Sequence, residues 1–429
     1  MSFNPQELLT GLFHTAVAAA DPKKVLPSFL DEALKNLPDQ KEQGKVVVIG
    51  AGKAAAVMAV ALENNWDKGH LSGIVVTAYG HALPCKQIEV IEAAHPVPDG
   101  NSEVAAQRIL NLVADLNKND VVICLLSGGG SSLLTLPAPG ITLADKQQVN
   151  HALLKSGANI HEMNCVRKHF SAIKGGRLAI ACTPAQLLTF AISDVPGDDP
   201  AVIASGPTVA DPTTRQQALA ILEKYQIVVS KEVRQWLGRS DSETPKAVCE
   251  LSKFQIIATA KQSLQAAAKQ AEKMGMTVLM LGDDLTGESQ ALGKSQAELV
   301  EQILEQGQPV KAPCVILSGG ETTVNVRGEG RGGCNTEYLL SLAAQLKGRP
   351  GVYALAADTD GIDGLGDNAG AVLSPDSWSR AEKLGLNAIN MLKNNNSYRY
   401  FDALGDLLII GPTHTNVNDF RAILVLGDS

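Results

Sequence analysis

The sequence predicts an α/β fold made of two doubly wound, Rossmann-like α/β/α domains. Its 429 residues exceed what one ordinary hydrophobic core organises, which favours two domains. Short and nearly continuous apolar runs, such as residues 45–49 (KVVVI) and 121–126 (VVICLL), alternate with segments of helical periodicity. Such strands are typical of a parallel sheet that helices cover on both faces.

The first half of the chain opens with two predicted helices. Pro5 starts one of them, and Asp21 caps the other with Pro22 in its first turn. The strand at residues 45–49 follows, and an alanine-rich helix begins at Lys53. The remaining predicted elements of this half are strands at 73–77, 88–93, 121–126 and 187–193 and helices at 103–117, 145–156 and 161–173.

A polar, turn-rich run at residues 238–244 (GRSDSET) marks the predicted boundary between the domains. The first domain is therefore predicted over residues 1–240 and the second over residues 250–429. After the boundary the alternation restarts. Its predicted elements are strands at 255–259, 277–281, 315–317, 407–410 and 422–426 and helices at 262–274 and 289–306.

The composition excludes several classes of protein. The net charge is −8 and aromatic residues make up 4%, whereas a nucleic-acid-binding protein needs a basic surface and usually stacking aromatics. The sequence has no apolar run long enough to span a membrane and no secretory signal pattern. Most of the seven cysteines lie in apolar runs, as reduced cysteines do, which indicates a cytoplasmic protein. We expect a small-molecule partner, and the oligomeric state, including a homodimer, stays open.

Four glycine-rich loops follow predicted strands. In an open parallel sheet, ligands bind outside the carboxyl ends of the strands, where such loops lie. Glycine permits a positive φ, so successive N–H groups can point into one concavity that suits an oxyanion. Single turns of this kind are ordinary strand exits, but four of them favour an anion site. The loops are Gly50-Ala51-Gly52-Lys53-Ala54, Ser127-Gly128-Gly129-Gly130-Ser131-Ser132, Ser318-Gly319-Gly320-Glu321-Thr322-Thr323 and Gly411-Pro412-Thr413-His414-Thr415-Asn416.

The first loop imitates a dinucleotide-binding fingerprint in its glycine spacing. The acidic residue that would bind a ribose is missing, because the next strand runs into Thr77-Ala78-Tyr79. Lys53 stands at the helix start instead, where the helix dipole opposes a cation by roughly 0.3–1 kcal/mol. An anionic ligand would offset that cost, which favours a ligand contact for Lys53 over a solvated surface lysine.

A cluster of cations stands out between residues 167 and 177 of this acidic chain. On one helix, Arg167 and Lys174 would share a face, and Gly175-Gly176 would end that helix. A solvated basic face would carry acidic partners four residues away, and the sequence has none there. We therefore expect a clamp for a carboxylate or a phosphate.

Acidic residues recur in two turn-rich strings, residues 193–199 with Asp194 and Asp198 and residues 358–363 with Asp360. Carboxylates at strand ends near phosphate-binding loops are the ligands that Mg²⁺ uses in phosphoryl transfer. Each aspartate could equally form an Asx turn or a helix cap. No two histidines lie at metal-ligand spacing, so zinc is not expected.

Ten short motifs run along the chain, namely GAGKA (50–54), AHPVPD (94–99), SGGGSS (127–132), VRKH (166–169), KGGR (174–177), SDVPGD (193–198), SGP (205–207), SGGETT (318–323), DGIDG (360–364) and GPTHTNVND (411–419). Together and in this order they resemble the MOFRL-type glycerate 2-kinases, a family that also carries the name TtuD-like hydroxypyruvate reductase. The resemblance implies two α/β domains with the active site in the interdomain cleft. It also implies ATP, Mg²⁺ and D-glycerate as ligands, and it assigns the family's catalytic lysine to Lys53.

One position departs from the family pattern. Where the family reads Gly-Gly-Arg-Asn-x-Glu, residues 332–337 read Gly-Gly-Cys-Asn-Thr-Glu, so Cys334 replaces the arginine expected to assist catalysis. Arg331 lies three residues earlier and is the candidate to reach the same phosphate. The loss of one transition-state donor costs roughly 10²–10³ in rate.

These considerations assign a role to each candidate residue. Lys53, Asp194 and Arg331 are the predicted catalytic residues, with Lys53 at the transferred phosphoryl group and Asp194 at the hydroxyl or the metal. Arg167 and Lys174 are predicted to bind the glycerate carboxylate. Further substrate or phosphate contacts are predicted for Gly52, Ser127, Gly128, Gly129, Gly130, Ser131, Ser132, Ser318, Gly319, Gly320, Thr322 and Asn335, and Mg²⁺ contacts for Asp198, Glu321 and Asp360.

The predicted reaction is transfer of the γ-phosphoryl group of ATP to the 2-hydroxyl of D-glycerate, which gives 2-phosphoglycerate. Such chemistry consists mostly of positioning and charge neutralisation. The alternative is NAD(P)H-dependent reduction of hydroxypyruvate, which needs a ribose-binding acid that the first loop lacks and a proton donor, for which His95 is the candidate. A third alternative is a ligand-binding protein that lost turnover with the change at Cys334.

Overall fold

The computed structural model describes residues 4–35 and 44–427. Helices and strands alternate along this range, which confirms the predicted α/β class. The chain divides into two compact units, Pro22–Ile257 on the one hand and Met1–Asp21 with Ala258–Ser429 on the other. We call them the first and the second domain.

Helices and strands are numbered separately, each in chain order. Up to the end of the first domain they are α1 (Pro5–Ala19), α2 (Pro22–Leu34), β1 (Val46–Ala51), α3 (Ala55–Asn64), β2 (Leu71–Ala78), β3 (Ile88–Ala93), α4 (Gly100–Val113), β4 (Val121–Leu126), α5 (Gly130–Leu133), α6 (Leu143–Ser156), α7 (Ile160–His169), α8 (Arg177–Cys182), β5 (Gln186–Ser193), α9 (Arg215–Lys224), α10 (Lys231–Leu237) and β6 (Ser252–Thr259). In the remainder they are α11 (Ala260–Lys273), β7 (Thr277–Gly282), β8 (Gly287–Glu288), α12 (Ser289–Gln306), β9 (Cys314–Gly320), β10 (Thr322–Thr323), α13 (Cys334–Leu346), β11 (Val352–Asp358), β12 (Gly370–Leu373), α14 (Ser377–Lys383), α15 (Ala388–Lys393), α16 (Ser397–Leu404), β13 (Leu407–Leu408) and β14 (Asp419–Val425).

The observed domain limits differ from the predicted ones, 1–240 and 250–429, at two elements. Helix α1 belongs to the second domain, because its apolar face packs against α11 and β14. Strand β6 forms an edge of the sheet of the first domain instead of opening the second. The sequence pattern tells which face of a helix or strand is apolar, but it does not tell which sheet covers that face.

The first domain is built on a six-stranded sheet with the order β3-β2-β1-β4-β5-β6. Strand β1 pairs in parallel with β2 on one side and with β4 on the other. The chain order therefore reverses direction between β1 and β4, and the loops that follow these two strands lie side by side. This is the switch point where sheets of this kind bind their ligands.

Burial explains the uninterrupted apolar runs that predicted the central strands. Every residue of β1 and of β4 is buried, since both faces of the sheet are covered. A second, helical core lies beside the sheet, where α6, α7, α9 and α10 pack their apolar faces together. In that core the buried indole of Trp236 donates a hydrogen bond to the carbonyl of His169 at 2.8 Å. This packing holds α6 and α7, which carry cations of the candidate site.

The second domain contains a six-stranded sheet with the order β13-β12-β11-β14-β9-β7. Only β7 and β9 pair in parallel among the strands described in this sheet, while β14 runs antiparallel to both β9 and β11. The sheet is therefore mixed, and most of its described strand pairs are antiparallel. The three-layer arrangement is as expected, because Ala354 and Ala356 of β11 face the helical core around α13 whereas Leu355 and Ala357 face α1 and α11. Over the described residues, no helix is both long and apolar enough to cross a membrane.

The packing of α1 on the second domain gives a stability prediction. Phe13 is fully buried, and its ring meets that of Phe420 edge to face at 5.9 Å between centroids. We expect Phe13→Ala to lower the free energy of unfolding by about 3–5 kcal/mol, since it leaves a cavity in this core. Hydrogen exchange should show lost protection in α11 and β14 and unchanged protection in β1 and β4. The exposed neighbour His14, changed to Ala, is the control, and equal effects in both domains would contradict the assignment of α1.

Candidate active site

The loops that follow β1 and β4 form one structure. The N–H of Lys53 donates to the carbonyl of Gly128 at 2.8 Å, and the N–H of Ala54 donates to Ser127 Oγ at 3.0 Å. Gly52 has a φ of 142°, and a Cβ atom there would lie 2.1 Å from Ser127 Oγ. Gly52, Ser127 and Gly128 therefore hold the two loops together, whereas the sequence predicted that they contact a ligand.

A cavity of about 510 Å³ lies beside these loops. Of the six residues predicted as an anion nest, Gly129, Ser131 and Ser132 line it. Gly130 does not, because a Cβ atom there would lie 2.9 Å from both Ala204 Cβ and the carbonyl oxygen of Ala51. Ser131 Oγ is 2.7 Å from Ser205 Oγ, which orients this hydroxyl at the cavity wall.

Gly129 brings Lys53 and His95 together. Its φ is 79°, and a Cβ atom there would lie 2.9 Å from the His95 ring and 3.4 Å from Lys53 Cγ. The two side chains therefore lie next to each other over this glycine, and His95 lines the cavity. A Cβ atom at position 129 would therefore clash with the His95 ring, whereas it would make a tight contact with Lys53.

The two predicted clamp residues, Arg167 and Lys174, do line the same cavity. They do not share a helix, because α7 ends at His169 and not at the predicted residue 173. The chain turns there, and Ser171 Oγ accepts a hydrogen bond from the N–H of Lys174 at 3.3 Å.

Both cations are held in fixed orientations. Lys174 Nζ donates to the carbonyl of Ser131 at 2.5 Å, which joins the turn after α7 to the loop after β4. Arg167 Nε donates to Asn150 Oδ1 of α6 at 2.6 Å. The guanidinium and the ammonium therefore need little reorganisation to receive a ligand.

A third cation, Lys146 of α6, was missed in the sequence. Its side chain is 8% exposed, and its Nζ has no hydrogen-bond partner among the described residues. A signal was available: Lys146 falls on the buried stripe of α6 with Val149 and Leu153, where a lysine is unusual.

The electrostatics of the three cations indicate an anion site. Burial, and next the charge of Arg167, lowers the pKa of Lys146 to about 7. Burial, followed by the charges of Lys146 and Arg167, lowers the pKa of Lys174 well below its usual value. None of the described residues that line the cavity is acidic. Because buried ammonium groups are costly without a counter-charge, the cavity is prepared for an anion.

Asp194 follows β5 at the same edge of the sheet. Burial raises the pKa of its carboxyl group, and the positive charge of Lys53 acts in the opposite direction. Asp198 lies in the turn beyond it and has a φ of 55°. Its N–H donates a hydrogen bond to the carbonyl of Val195 at 3.0 Å. Within residues 4–35 and 44–427, no three His, Cys, Asp or Glu side chains form a group that could hold a metal ion.

The glycines of the second domain lie differently from the prediction. Ser318, Gly319 and Gly320 are buried residues of β9 and do not form an open loop. Ser318 Oγ accepts a hydrogen bond from Gln296 at 3.2 Å. A Cβ atom on Gly320 would lie 2.3 Å from the carbonyl oxygen of Leu285, so this glycine serves close backbone packing.

The polar residues near β14 are likewise engaged within the second domain. Thr322 Oγ1 accepts a hydrogen bond from the buried guanidinium of Arg421 at 3.2 Å. The amide of Asn335, which is 1% exposed, donates to Asp419 Oδ1 at 2.6 Å. Asp360 forms an Asx turn in which its Oδ1 accepts from the N–H of Ile362 at 2.8 Å.

The start of α13 already carries an anion of its own. The carboxylate of Asp363 accepts the N–H groups of Asn335 and Thr336 at 2.9 and 3.0 Å. Burial raises the pKa of Asp363 to about 6 in spite of these hydrogen bonds. A phosphate predicted at Asn335 would have to displace this carboxylate.

Cys334, which replaces the arginine of the family pattern, and the nearby Arg331 have different surroundings. Burial, followed by the charges of Asp419, Asp363 and Glu321, raises the pKa of the Cys334 thiol to about 12. Arg331 is half exposed, stacks 4.0 Å above the ring of Tyr398 and lies 3.6 Å from Asp367. The carboxylates that could accompany an arginine at position 334 are thus retained around Cys334.

Comparisons with known proteins cover nearly the whole chain. Residues 8–238 match a family described as a domain of unknown function (DUF4147), and residues 314–419 match the MOFRL family. A protein of Agrobacterium vitis named "Putative hydroxypyruvate reductase" is 51% identical, over 98% of this chain and 94% of that protein. A D-glycerate 2-kinase of Thermotoga maritima is 40% identical, over 94% of this chain and 96% of its own length. The crystal structure of a glycerate kinase of Thermotoga maritima has a TM-score of 0.88 at 38% identity, covering 98% of this chain and 99% of that chain.

The burial of Lys146 gives a prediction for stability against pH. Its pKa is about 7 in the folded protein and higher in the unfolded chain, so the unfolded state holds the extra proton above pH 7. This residue therefore costs stability below pH 7, and the cost fades as the pH rises, by roughly 1.4 kcal/mol per pH unit. We expect Lys146→Met to be more stable than the wild type at pH 6.5 and equal to it near pH 10, as measured by urea unfolding in chloride buffer.

The control for this measurement is Lys155→Met, which removes an exposed charge from the same helix. Its difference from the wild type should not vary with pH. A pH-independent effect of Lys146→Met would contradict the lowered pKa.

Proposed function

The chain belongs to the family of MOFRL-type glycerate 2-kinases, and we propose on that basis that it transfers the γ-phosphoryl group of ATP to the 2-hydroxyl of D-glycerate. The observation that carries the proposal is the anion cavity of the first domain. There Lys53 lies at the margin of a site in which Arg167 and Lys174 converge. A phosphoryl-binding lysine beside a carboxylate-binding pair is the arrangement that a hydroxy-acid kinase requires.

Arg167 and Lys174 are assigned to the carboxylate of glycerate. Arg167 is oriented by Asn150, and a fixed guanidinium binds a carboxylate with two parallel hydrogen bonds. Lys174 adds a buried hydrogen-bond donor next to the hydroxyl groups of Ser131 and Ser132. This pair holds one end of the substrate, so that the 2-hydroxyl has a defined position.

Lys53 and Asp194 are assigned to the reacting end. Lys53 offsets the negative charge that is spread over the oxygens of the transferred phosphoryl group. Asp194, whose pKa is raised by burial, accepts the hydrogen bond of the 2-hydroxyl and takes its proton as the new P–O bond forms. The bond from the γ-phosphorus to the bridging oxygen of ATP breaks in the same step, and ADP leaves.

Magnesium enters this proposal together with ATP. The described residues offer no group of three ligating side chains, which does not suit an ion held by the protein alone. Mg²⁺ commonly binds through one or two carboxylates plus the phosphates of its nucleotide, which suits an ion that arrives with ATP. When bound, the ion neutralises phosphate charge. Asp198, Glu321 and Asp360 stay predicted metal contacts.

The reductase alternative has less support from the site. A nicotinamide dinucleotide would need an acid for its ribose at the end of β2, and that strand ends in Thr77-Ala78. One assay separates the two reactions: purified protein receives D-glycerate, ATP and Mg²⁺, and the product is coupled to enolase without phosphoglycerate mutase. Oxidation of NADH by hydroxypyruvate without any release of ADP from glycerate and ATP would overturn the kinase proposal.

Removal of the Lys53 charge tests its catalytic assignment. Lys53→Met keeps the aliphatic stem beside Gly129 but removes the ammonium group. We expect kcat to fall by about 10²–10³ with an unchanged circular dichroism spectrum, because one transition-state donor is lost. Lys118→Met, at an exposed lysine, is the control. A kcat within threefold of the wild type would remove Lys53 from the mechanism.

Arg331 and Cys334 can be tested as a pair. We expect Arg331→Ala to lower kcat by roughly tenfold or more, since Arg331 is the remaining arginine near the motif. Adding Cys334→Arg should restore kcat, because Asp363, Asp419 and Glu321 stabilise a cation there. The exposed Arg327, changed to Ala, is the control within the same loop. An unaltered kcat in Arg331→Ala would show that this arginine takes no part.

A further inference from the structure

The cavity of the first domain contains more basic side chains than its proposed substrate can pair with. Lys146, Arg167 and Lys174 all line it, while D-glycerate carries a single carboxylate. We propose that this cavity is matched to the phosphorylated product, and that Lys146 is the specificity-determining residue that makes it bind a phosphate ester of a 2-hydroxy acid more tightly than the free acid. This inference rests on the proposed function, because it takes the hydroxy acid as the substrate of the same site.

Lys146 is the part of the site that the carboxylate does not need. Arg167 is already oriented by Asn150, and Lys174 by the carbonyl of Ser131. Lys146 is more than nine-tenths buried, and its Nζ has no hydrogen-bond partner among the described residues. A buried ammonium group without a partner costs several kcal/mol, which indicates that a ligand atom completes it.

The count of charges selects the ligand. Three cations meet no acidic side chain among the described residues that line the cavity. The Lys53 charge is not part of this surplus, because Asp194 lies within its electrostatic reach. The free acid brings one negative charge, whereas its phosphate ester brings about three at neutral pH, since the phosphate contributes nearly two. The ester therefore supplies enough negative charge to hold Lys146 and Lys174 protonated beside Arg167, whereas the free acid supplies a single charge.

The geometry accommodates the ester. In 2-phosphoglycerate the carboxylate and the phosphate ester are both attached to C2, so both groups enter the same cavity. Ser131 and Ser132 supply hydroxyl groups at the wall, and a volume of about 510 Å³ is larger than a three-carbon acid fills. The phosphate can thus lie between α6, which carries Lys146, and the loop after β4.

The test compares the binding of 2-phosphoglycerate and of D-glycerate by calorimetric titration of the full-length protein without nucleotide. We expect 2-phosphoglycerate to bind at least tenfold more tightly than D-glycerate. Lys146→Met should weaken the binding of 2-phosphoglycerate by tenfold or more and the binding of D-glycerate by less than threefold. Lys146→Arg, which keeps the charge, should retain the preference, and Lys155→Met on the exposed side of the same helix should match the wild type.

Two outcomes would overturn the inference: equal affinities for the ester and the acid, or an equal loss of affinity for both in Lys146→Met. A steady-state measurement separates this failure from that of the proposed function. If ADP is formed from D-glycerate but the inhibition constant of 2-phosphoglycerate exceeds the KM of D-glycerate, the kinase proposal stands and this inference is wrong. If no ADP is formed while the ester still binds through Lys146, the inference stands and the kinase reaction is wrong.

Discussion

The close approach of the loops after β1 and β4 is the constraint on which the candidate site depends. Gly52 faces Ser127 so closely that no side chain fits between them, and the N–H of Ala54 donates a hydrogen bond to Ser127 Oγ. This contact fixes the start of α3, and with it Lys53, relative to Gly129 and the hydroxyls of Ser131 and Ser132. Lys174 then reaches the same loop through the carbonyl of Ser131. One backbone contact at the switch point of the sheet therefore positions Lys53 and Lys174 at the same loop.

Much of this arrangement could be predicted from the sequence, because local patterns encode it. Continuous apolar runs identified β1 and β4, and glycines at strand ends identified their loops. The pattern of α6 could mark Lys146 as a buried lysine, but it could not show that Lys146 meets Arg167 and Lys174, because these come from other segments and reach it only through the packing of α6 on α7. The domains to which α1 and β6 belong differ from the predicted ones for the same reason. Periodicity describes one element at a time, whereas the choice of covering surface depends on the whole fold.

The two Ser-Gly-Gly motifs illustrate where a local pattern stops being informative. In the first domain the motif leaves the strand and lines a cavity, because β4 is flanked by parallel strands whose loops open at one edge. In the second domain the same letters stay inside β9, because β14 pairs antiparallel with it as far as Gly320. The glycines then permit close contact with Leu285 instead of an anion. The identity of the neighbouring strand decides which of the two uses a glycine pair has.

The same contrast applies to the anion sites of the two domains. The N-terminus of α13 receives its negative charge from Asp363, so the second domain satisfies its helix dipole internally and loses the capacity to bind a phosphate there. The first domain leaves Lys146, Arg167 and Lys174 without such a carboxylate, and it tolerates the electrostatic cost in the absence of ligand. A carboxylate at this cavity would stabilise the unliganded protein and compete with an anionic ligand. The missing counter-charge is therefore the physical feature that separates a site for ligands from a merely stable fold.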